Sequence, residues 1–246
     1  MMTSIGSIIL IGVLTVFSGC IQAVTGFGGG IVNMLFLPSF MPMVKASANS
    51  GFSTTPLSFS ILWRNRQHVH FRKCVIPMIF YMGISIVCVR LSTMIPTGNL
   101  KAVFGGFLIL MGFYFLIFNG KIKVSGGPVS GEVCGILAGI LSSFFGIGGP
   151  PLVVYFLGVS ETKEEYLGSI NLVFTAGAAF LIILRIINGI LTADMIPTLI
   201  AAVVGILIGS YIGGKIVGKI NVEVMKKCIY IFLIFSGALT LINSLK

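Results

Sequence analysis

Two glycine-rich interruptions inside apolar segments constrain this chain more than any other feature. The first is Gly26-Phe27-Gly28-Gly29-Gly30, which leads into the apolar run 31–37. The second is Gly146-Ile147-Gly148-Gly149-Pro150-Pro151, which leads into 152–157. A soluble protein rarely places so much bare backbone between two long apolar stretches, because every peptide group needs a partner.

Composition says where such backbone can be tolerated. The chain is 56% hydrophobic and 9% charged, with a mean hydropathy of +1.09. Soluble domains carry about a quarter charged residues. The chain therefore reads as a polytopic membrane protein with no room for a separate soluble domain and the lipid bilayer as its surroundings. The start lacks the basic region and cleavage site of a signal peptide, so 5–24 is expected to be retained. Net charge is +10. On a soluble domain that would suggest nucleic acid. Here most basic residues lie in short loops, where they set orientation in the membrane, and no nucleic-acid partner is expected. The five cysteines are scattered, show no metal spacing and read as small buried hydrophobes.

In chain order, the apolar span 5–24 meets the first break. A shorter arm, 31–44, follows, interrupted by Pro38 and Pro42. Segment 46–63 is apolar but carries Ser47, Asn49, Ser50, Ser53 and Thr54 in its first half. After a basic loop (Arg64, Arg66, His68, His70, Arg72, Lys73) come the spans 75–92 and 102–118. A Gly/Pro-containing hinge at 119–129 then separates two repeats. The pattern restarts with arm 131–145, the second break, arm 152–159, the charged loop with Glu161, Lys163, Glu164 and Glu165, and spans 167–191, 196–216 and 224–242. A shift of 120 residues puts Gly26, Gly28 and Gly29 on Gly146, Gly148 and Gly149, and Ile76-Pro77 on Ile196-Pro197. Internal duplication is common in transporters. The expected units are 1–119 and 130–246 with a linker at 120–129, together one membrane domain.

Each repeat holds one hairpin, which returns the chain to its starting side, and three full spans. Three is odd, so the repeats are expected to be inverted. If the 64–73 loop is cytoplasmic, eleven basic residues fall inside (Arg64, Arg66, Arg72, Lys73, Lys121, Lys123, Lys163, Lys215, Lys219, Lys226, Lys227) and five outside (Lys45, Arg90, Lys101, Arg185, Lys246). The positive-inside rule then places both termini outside the cytoplasm of a plasma-membrane protein. Three of the four hairpin arms read as roughly nine to fifteen residues, against about 20 needed to cross, so they are expected to be re-entrant. The expected fold is an all-α integral membrane protein of two inverted repeats. Each repeat is a glycine-broken re-entrant hairpin plus three transmembrane helices, with eight to ten membrane segments in all.

The first turn of a helix leaves peptide N–H groups without intrahelical partners, and the macrodipole adds positive potential there. Helices are expected to start near Gly30 and at Pro150-Pro151, since proline suits a first turn. The preceding glycines permit close approach of a ligand. Inversion would bring both tips to one cavity, an arrangement that favours a small anionic substrate. The candidate binding residues are Gly28, Gly29, Gly30, Gly148 and Gly149, with Gln22, Thr25, Asn33, Asn49, Ser50, Ser53, Tyr155, Asn171 and Thr175 as neighbouring uncharged donors. Ser142, Ser143 and Thr54 lie nearby. Close helix packing through small-xxx-small patterns is the competing role for the glycines, and the absence of a following G-K-[ST] excludes a P-loop. All six acids lie in loops or at segment ends, which disfavours cation transport. Arg90 and Arg185, near predicted outer ends, are expected to snorkel. No cofactor, metal site or catalytic residue is expected.

These motifs resemble those of the sulfite exporter TauE/SafE family. The resemblance rests on the duplicated Gly-x-Gly-Gly break, above all residues 146–152 with Tyr155, and it extends over essentially the whole chain. It implies a secondary transporter of sulfite, sulfoacetate or another sulfonate. Two departures fall at the expected site: Asn33-Met34-Leu35 where the family often has an early proline, and Ala48-Asn49-Ser50-Gly51 in place of an Ala-Thr-Ser-Leu-like stretch. The substrate is therefore not carried over from the family name. A passive anion channel and a permease for small carboxylates are the alternatives. A membrane-embedded enzyme would need a nucleophile–base pair, a carboxylate dyad or a metal cluster within the bilayer.

Overall fold

Backbone polar groups have no water to turn to in hydrocarbon, so a spanning segment satisfies them internally as a helix. The computed structural model describes residues 5–25, 28–118, 127–216 and 222–244, and each apolar run among them is α-helical. The first half forms α1 (Ile5–Thr25), α2 (Gly29–Phe40), α3 (Met43–Asn65), α4 (Phe71–Met94) and α5 (Thr97–Phe118). The second half forms α6 (Pro128–Phe145), α7 (Gly149–Val159), α8 (Lys163–Ile187), α9 (Ile196–Ile216) and α10 (Val222–Ser244). No strand occurs among the described residues.

Five helices (α1, α4, α6, α8, and α9 with its preceding 3-10 turn) are long and apolar enough to cross a membrane. By contrast α2 and α7 have 12 and 11 residues. At 1.5 Å per residue they are about 18 and 17 Å long, too short for a core of about 30 Å. One expectation needs correction: two of the four hairpin arms are short, not three. The helix α6 begins at Pro128 and has 18 residues, because a proline in the first turn costs no hydrogen bond and its φ is already set. Most of the expected linker 120–129 lies outside the described residues.

Helix packing repeats itself between the halves. α1 packs on α9 as α6 packs on α4; α3 on α9 as α8 on α4; α2 on α3 as α7 on α8. The pairs α3–α8 and α5–α10 join equivalent helices. Exchanging each of the first five helices with its counterpart in the second five carries these pairs onto one another, while α3 packs on α6 more extensively than α8 does on α1. Small residues permit the closest approaches, as in other membrane bundles. A Cβ at Gly209 of α9 would overlap the Val16 carbonyl of α1, and one at Gly135 of α6 would lie 2.5 Å from the Pro77 carbonyl oxygen of α4. Large apolar side chains such as Ile9, Phe17, Ile200 and Phe235 face outward, while residues 46–50 of α3, polar ones included, are fully buried. This layout of polar interior and apolar exterior suits lipid.

Two ion pairs tie the halves together at opposite ends of α3. Lys45, in its first turn, pairs with Asp194 of the turn before α9 at 3.0 Å. Beyond its other end, Lys73 of α4 pairs with Glu165 of α8 at 2.7 Å. Lys73 also donates to the Val159 carbonyl at the end of α7, at 2.8 Å. The segments 64–73 and 159–165 therefore share one face, and 41–45 and 191–195 share the other.

The glycine packing has a direct test on one helix. Gly209→Ala should destabilise the purified protein by about 1–3 kcal/mol through overpacking. Gly214→Ala, with nothing within 4 Å of the added carbon, should be neutral or slightly stabilising. Thermal unfolding in detergent measures both, and equal effects would dismiss close α1–α9 approach as the reason for Gly209.

Candidate functional site

Both breaks are built from conformations that demand glycine. Gly28 caps the start of α2 with φ of 98°. Gly146 ends α6 with φ of 66°. These are left-handed values that other residues adopt only with strain. The Gly146 N–H donates to the Ser142 carbonyl at 2.9 Å and the Ile147 N–H to the Leu141 carbonyl at 3.4 Å, so both main-chain donors turn back onto the last carbonyls of α6. One residue later Gly148 caps α7. Gly26 and Phe27 lie outside the described residues.

The two breaks touch. A Cβ at Gly30 would stand 2.8 Å from the Gly146 carbonyl oxygen, and one at Gly146 would stand 2.6 Å from the Ser47 carbonyl oxygen. Ser50 of α3 donates to the Gly30 carbonyl at 3.1 Å, fixing the first tip against the same helix. Between the tips lies a cavity of about 660 Å³, counting the open space at its mouth. Gln22, Gly28, Gly30 and Ile31 form one wall, and Ser142 with residues 146–149 another. The α3 residues Gly51, Thr54, Thr55 and Ser58, together with Tyr81 of α4, add polar groups. Phe174, Ala178, Leu181 and Arg185 of α8 close it.

The two helix starts are not equal as donors. In α2 the N–H groups of Gly29, Gly30 and Ile31 belong to the first turn and have no carbonyl four residues back within the helix; the ladder opens with Val32 donating to Gly28 at 3.1 Å. In α7 the second and third positions are Pro150 and Pro151, which have no N–H, so Gly149 is the one first-turn donor among its first three residues. Both macrodipoles still raise the potential, by about 0.3–1 kcal/mol per unit charge when exposed and up to about 2 kcal/mol when partly buried.

Arg185 overturns an expectation. It does not snorkel: it is 1% exposed and lines the cavity. Its Nη2 donates to the Ser142 carbonyl at 2.8 Å, the Ser143 carbonyl at 3.3 Å and Ser47 Oγ at 3.3 Å, so the guanidinium meets the negative end of α6. Its Nε has no hydrogen-bond partner. Its Nη1 lies over Gly51, where a Cβ would come within 2.9 Å. Arg90, in contrast, is exposed. The sequence did hold a signal for Arg185: Phe174, Ala178, Leu181 and Arg185 are spaced 4, 3 and 4 apart, one face of a helix.

The remaining candidates divide. Of the expected binding residues, Gln22, Gly28, Gly30, Gly148 and Gly149 line the cavity. Gly29 sits beside it, its missing side chain leaving room for Gln22 Oε1, which itself has no partner; Gln22 Nε2 donates to Ser58 at 3.4 Å. Ser50 acts on the tip backbone. Asn33 donates to Ser53 at 3.2 Å, and Asn49 donates to Thr198 at 3.3 Å; these polar contacts join α2, α3 and α9 away from the cavity wall. Tyr155 donates to the Lys73 carbonyl at 3.1 Å, Asn171 to the Leu167 carbonyl of its own helix at 2.9 Å, and the buried Thr175 hydroxyl has no partner; none of the three lines the cavity. The Thr25 side chain lies outside what is described. Gly51, Tyr81 and Arg185 are wall residues that the sequence reading did not select. Among the described residues no group of three or more His, Cys, Asp or Glu is placed to hold a metal ion.

Neither the curated proteins nor the solved structures yielded a match to this chain. The sequence model of one family, described as sulfite exporter TauE/SafE, matches residues 10–240. That match spans both breaks, every described helix in whole or part and Arg185, and the chain belongs to the sulfite exporter TauE/SafE family.

Proposed function

We propose that this protein is a secondary transporter that moves a small organosulfur or sulfur oxyanion, such as sulfite, sulfoacetate or another sulfonate, across the plasma membrane by alternating access. The family is one of membrane transporters for sulfur anions. The finer reading rests on one observation: the tips of two broken helices, Gly30 and Gly146, meet over a cavity among buried, largely uncharged donors. Opposed first turns of this kind attract an oxyanion. The reading assigns no catalytic residue, metal or cofactor.

An inverted relation of the two halves is supported by their ion pairs. The 120-residue shift carries Lys45 onto Glu165 and Lys73 onto Ala193, beside Asp194. Exchanging the halves therefore exchanges the Lys45–Asp194 and Lys73–Glu165 pairs. These lie on opposite faces, as an exchange about an axis in the membrane plane requires. Rocking of one half against the other would expose the shared cavity alternately. The surplus of basic residues on the 64–73 face supports a cytoplasmic position for that face with both termini outside.

In proteoliposomes the protein should show saturable uptake of radiolabelled sulfite with counterflow; linear, non-saturating flux would indicate a channel. Gly30→Ala should reduce that flux by about tenfold or more, since positioning errors near 1 Å carry costs of that order or larger, while Gly214→Ala should leave it unchanged. A tag at the N-terminus should be reached by an impermeant label from outside intact cells, and labelling only after permeabilisation would reverse the orientation.

A further inference from the structure

We propose that Arg185 is the cationic ligand of the transported anion, gripping its oxyanion head with the Nε and Nη1 sides of the guanidinium, and that the cavity accepts anions while refusing zwitterions of the same size. The inference rests on the reading of this cavity as the transport site. Capping α6 does not by itself account for the residue. Gly146 and Ile147 already close the end of that helix through their own N–H groups, and Nη2 alone makes the three hydrogen bonds to Ser47, Ser142 and Ser143. The Nε donor is left buried and unpartnered at a cavity wall, and a buried donor without a partner calls for a reason. Burying a guanidinium costs several kcal/mol unless it is paired, and such a charge inside a bilayer normally marks a substrate path.

The neighbouring geometry agrees. Proline deprives α7 of two donors on the side of the cavity where Arg185 stands. Gly51 leaves the space that Nη1 occupies. The first half brings no matching charge to the cavity: the residue 120 positions earlier is Asn65, whose side chain donates to Ile61 of its own helix at 2.8 Å, and its neighbours Arg64 and Arg66 are exposed and do not line the cavity. Selectivity follows from what the walls omit. None of the lining residues is acidic. A bound anion meets Arg185 and two positive helix ends, whereas the ammonium of an aminosulfonate would meet like charge with no carboxylate to balance it.

Binding to the purified full-length protein tests this with sulfite, ethanesulfonate and 2-aminoethanesulfonate as probes, read as dissociation constants and ligand-induced thermal shifts. Wild type should bind sulfite and ethanesulfonate, and 2-aminoethanesulfonate should bind about tenfold more weakly or not at all. Arg185→Gln should weaken ethanesulfonate by about tenfold or more, the usual scale for a hydrogen bond to a charged group. Arg185→Lys should fall between. A purely structural role would lower the ligand-free melting temperature of Arg185→Gln and leave the ligand-induced shift intact, which would overturn the assignment. Should Arg185→Gln fail to fold, Gly51→Ala displaces the guanidinium without removing it and should show the same loss; unchanged affinity there also overturns it. Equal binding of 2-aminoethanesulfonate overturns the charge selectivity alone. A wild-type protein that binds neither sulfite nor ethanesulfonate overturns the transport-site reading itself.

Discussion

A helix that stops inside hydrocarbon leaves peptide groups that must be satisfied or paid for at several kcal/mol each, and the arrangement of this protein follows from how its helix ends are treated. The carbonyl end of α6 is closed three times over, by the N–H groups of Gly146 and Ile147 and by Arg185 Nη2. Residues at the starts of α2 and α7 border the cavity. A covered carbonyl end beside two helix starts makes the local potential more positive. Glycine makes this possible at two positions in particular: Gly28 and Gly146 hold left-handed backbone, and the second of these lets the tips and α3 approach within a few ångströms.

Charge is distributed by depth in the same spirit. Among the described residues the buried ionisable side chains of opposite sign, Glu165 and Arg185, are both on α8, at opposite ends of that helix. Glu165 is neutralised where it lies, by Lys73 and by the Glu161 N–H at 3.0 Å, while Thr162 caps the helix just ahead of it. Arg185 has no carboxylate within its set of partners. The two ion pairs between halves also differ in strength. The side chain of Asp194 is 55% exposed, so water and salt screen its pair strongly. The side chain of Glu165 is 5% exposed and carries further hydrogen bonds, so losing Lys73 would strand a buried charge. The halves are thus tied together more firmly at the 64–73 face than at the other.

Much of this was legible because glycine and proline carry their meaning locally. The breaks and the starts of α2 and α7 follow from short stretches whose backbone requirements do not depend on distant neighbours. Helix ends were less legible where apolar residues gave way gradually: Pro128 and Val129 extend α6 into what reads as linker, and α8 begins at Lys163, ahead of its apolar run. Side-chain roles were least legible. Tyr155, Asn171 and Thr175 have the right chemistry but face other neighbours, since polarity in a sequence does not specify an azimuth. Arg185 failed in the opposite direction: counting its distance from the segment end suggested snorkelling, whereas its helical register with Phe174, Ala178 and Leu181 pointed inward.

The halves are duplicates in packing and complements in chemistry. The first break keeps glycine at its cap, Gly28, and at Gly29 and Gly30 of the first turn, so its main-chain donors are retained, with Ser50 holding the tip in place. The second exchanges two donors for Pro150 and Pro151, which stiffen the start of α7 and fix its direction. The break that gives up those donors is also the one where Arg185 binds the end of α6, and the residue 120 positions before Arg185 is Asn65. A site made by strict repetition would present the same groups twice. Here one half supplies first-turn peptide N–H groups and the other a proline-stiffened helix start beside a buried guanidinium. Under the proposed transport role, a guest held by both sets of groups would be coupled to the relative position of the halves, the physical requirement for alternating access.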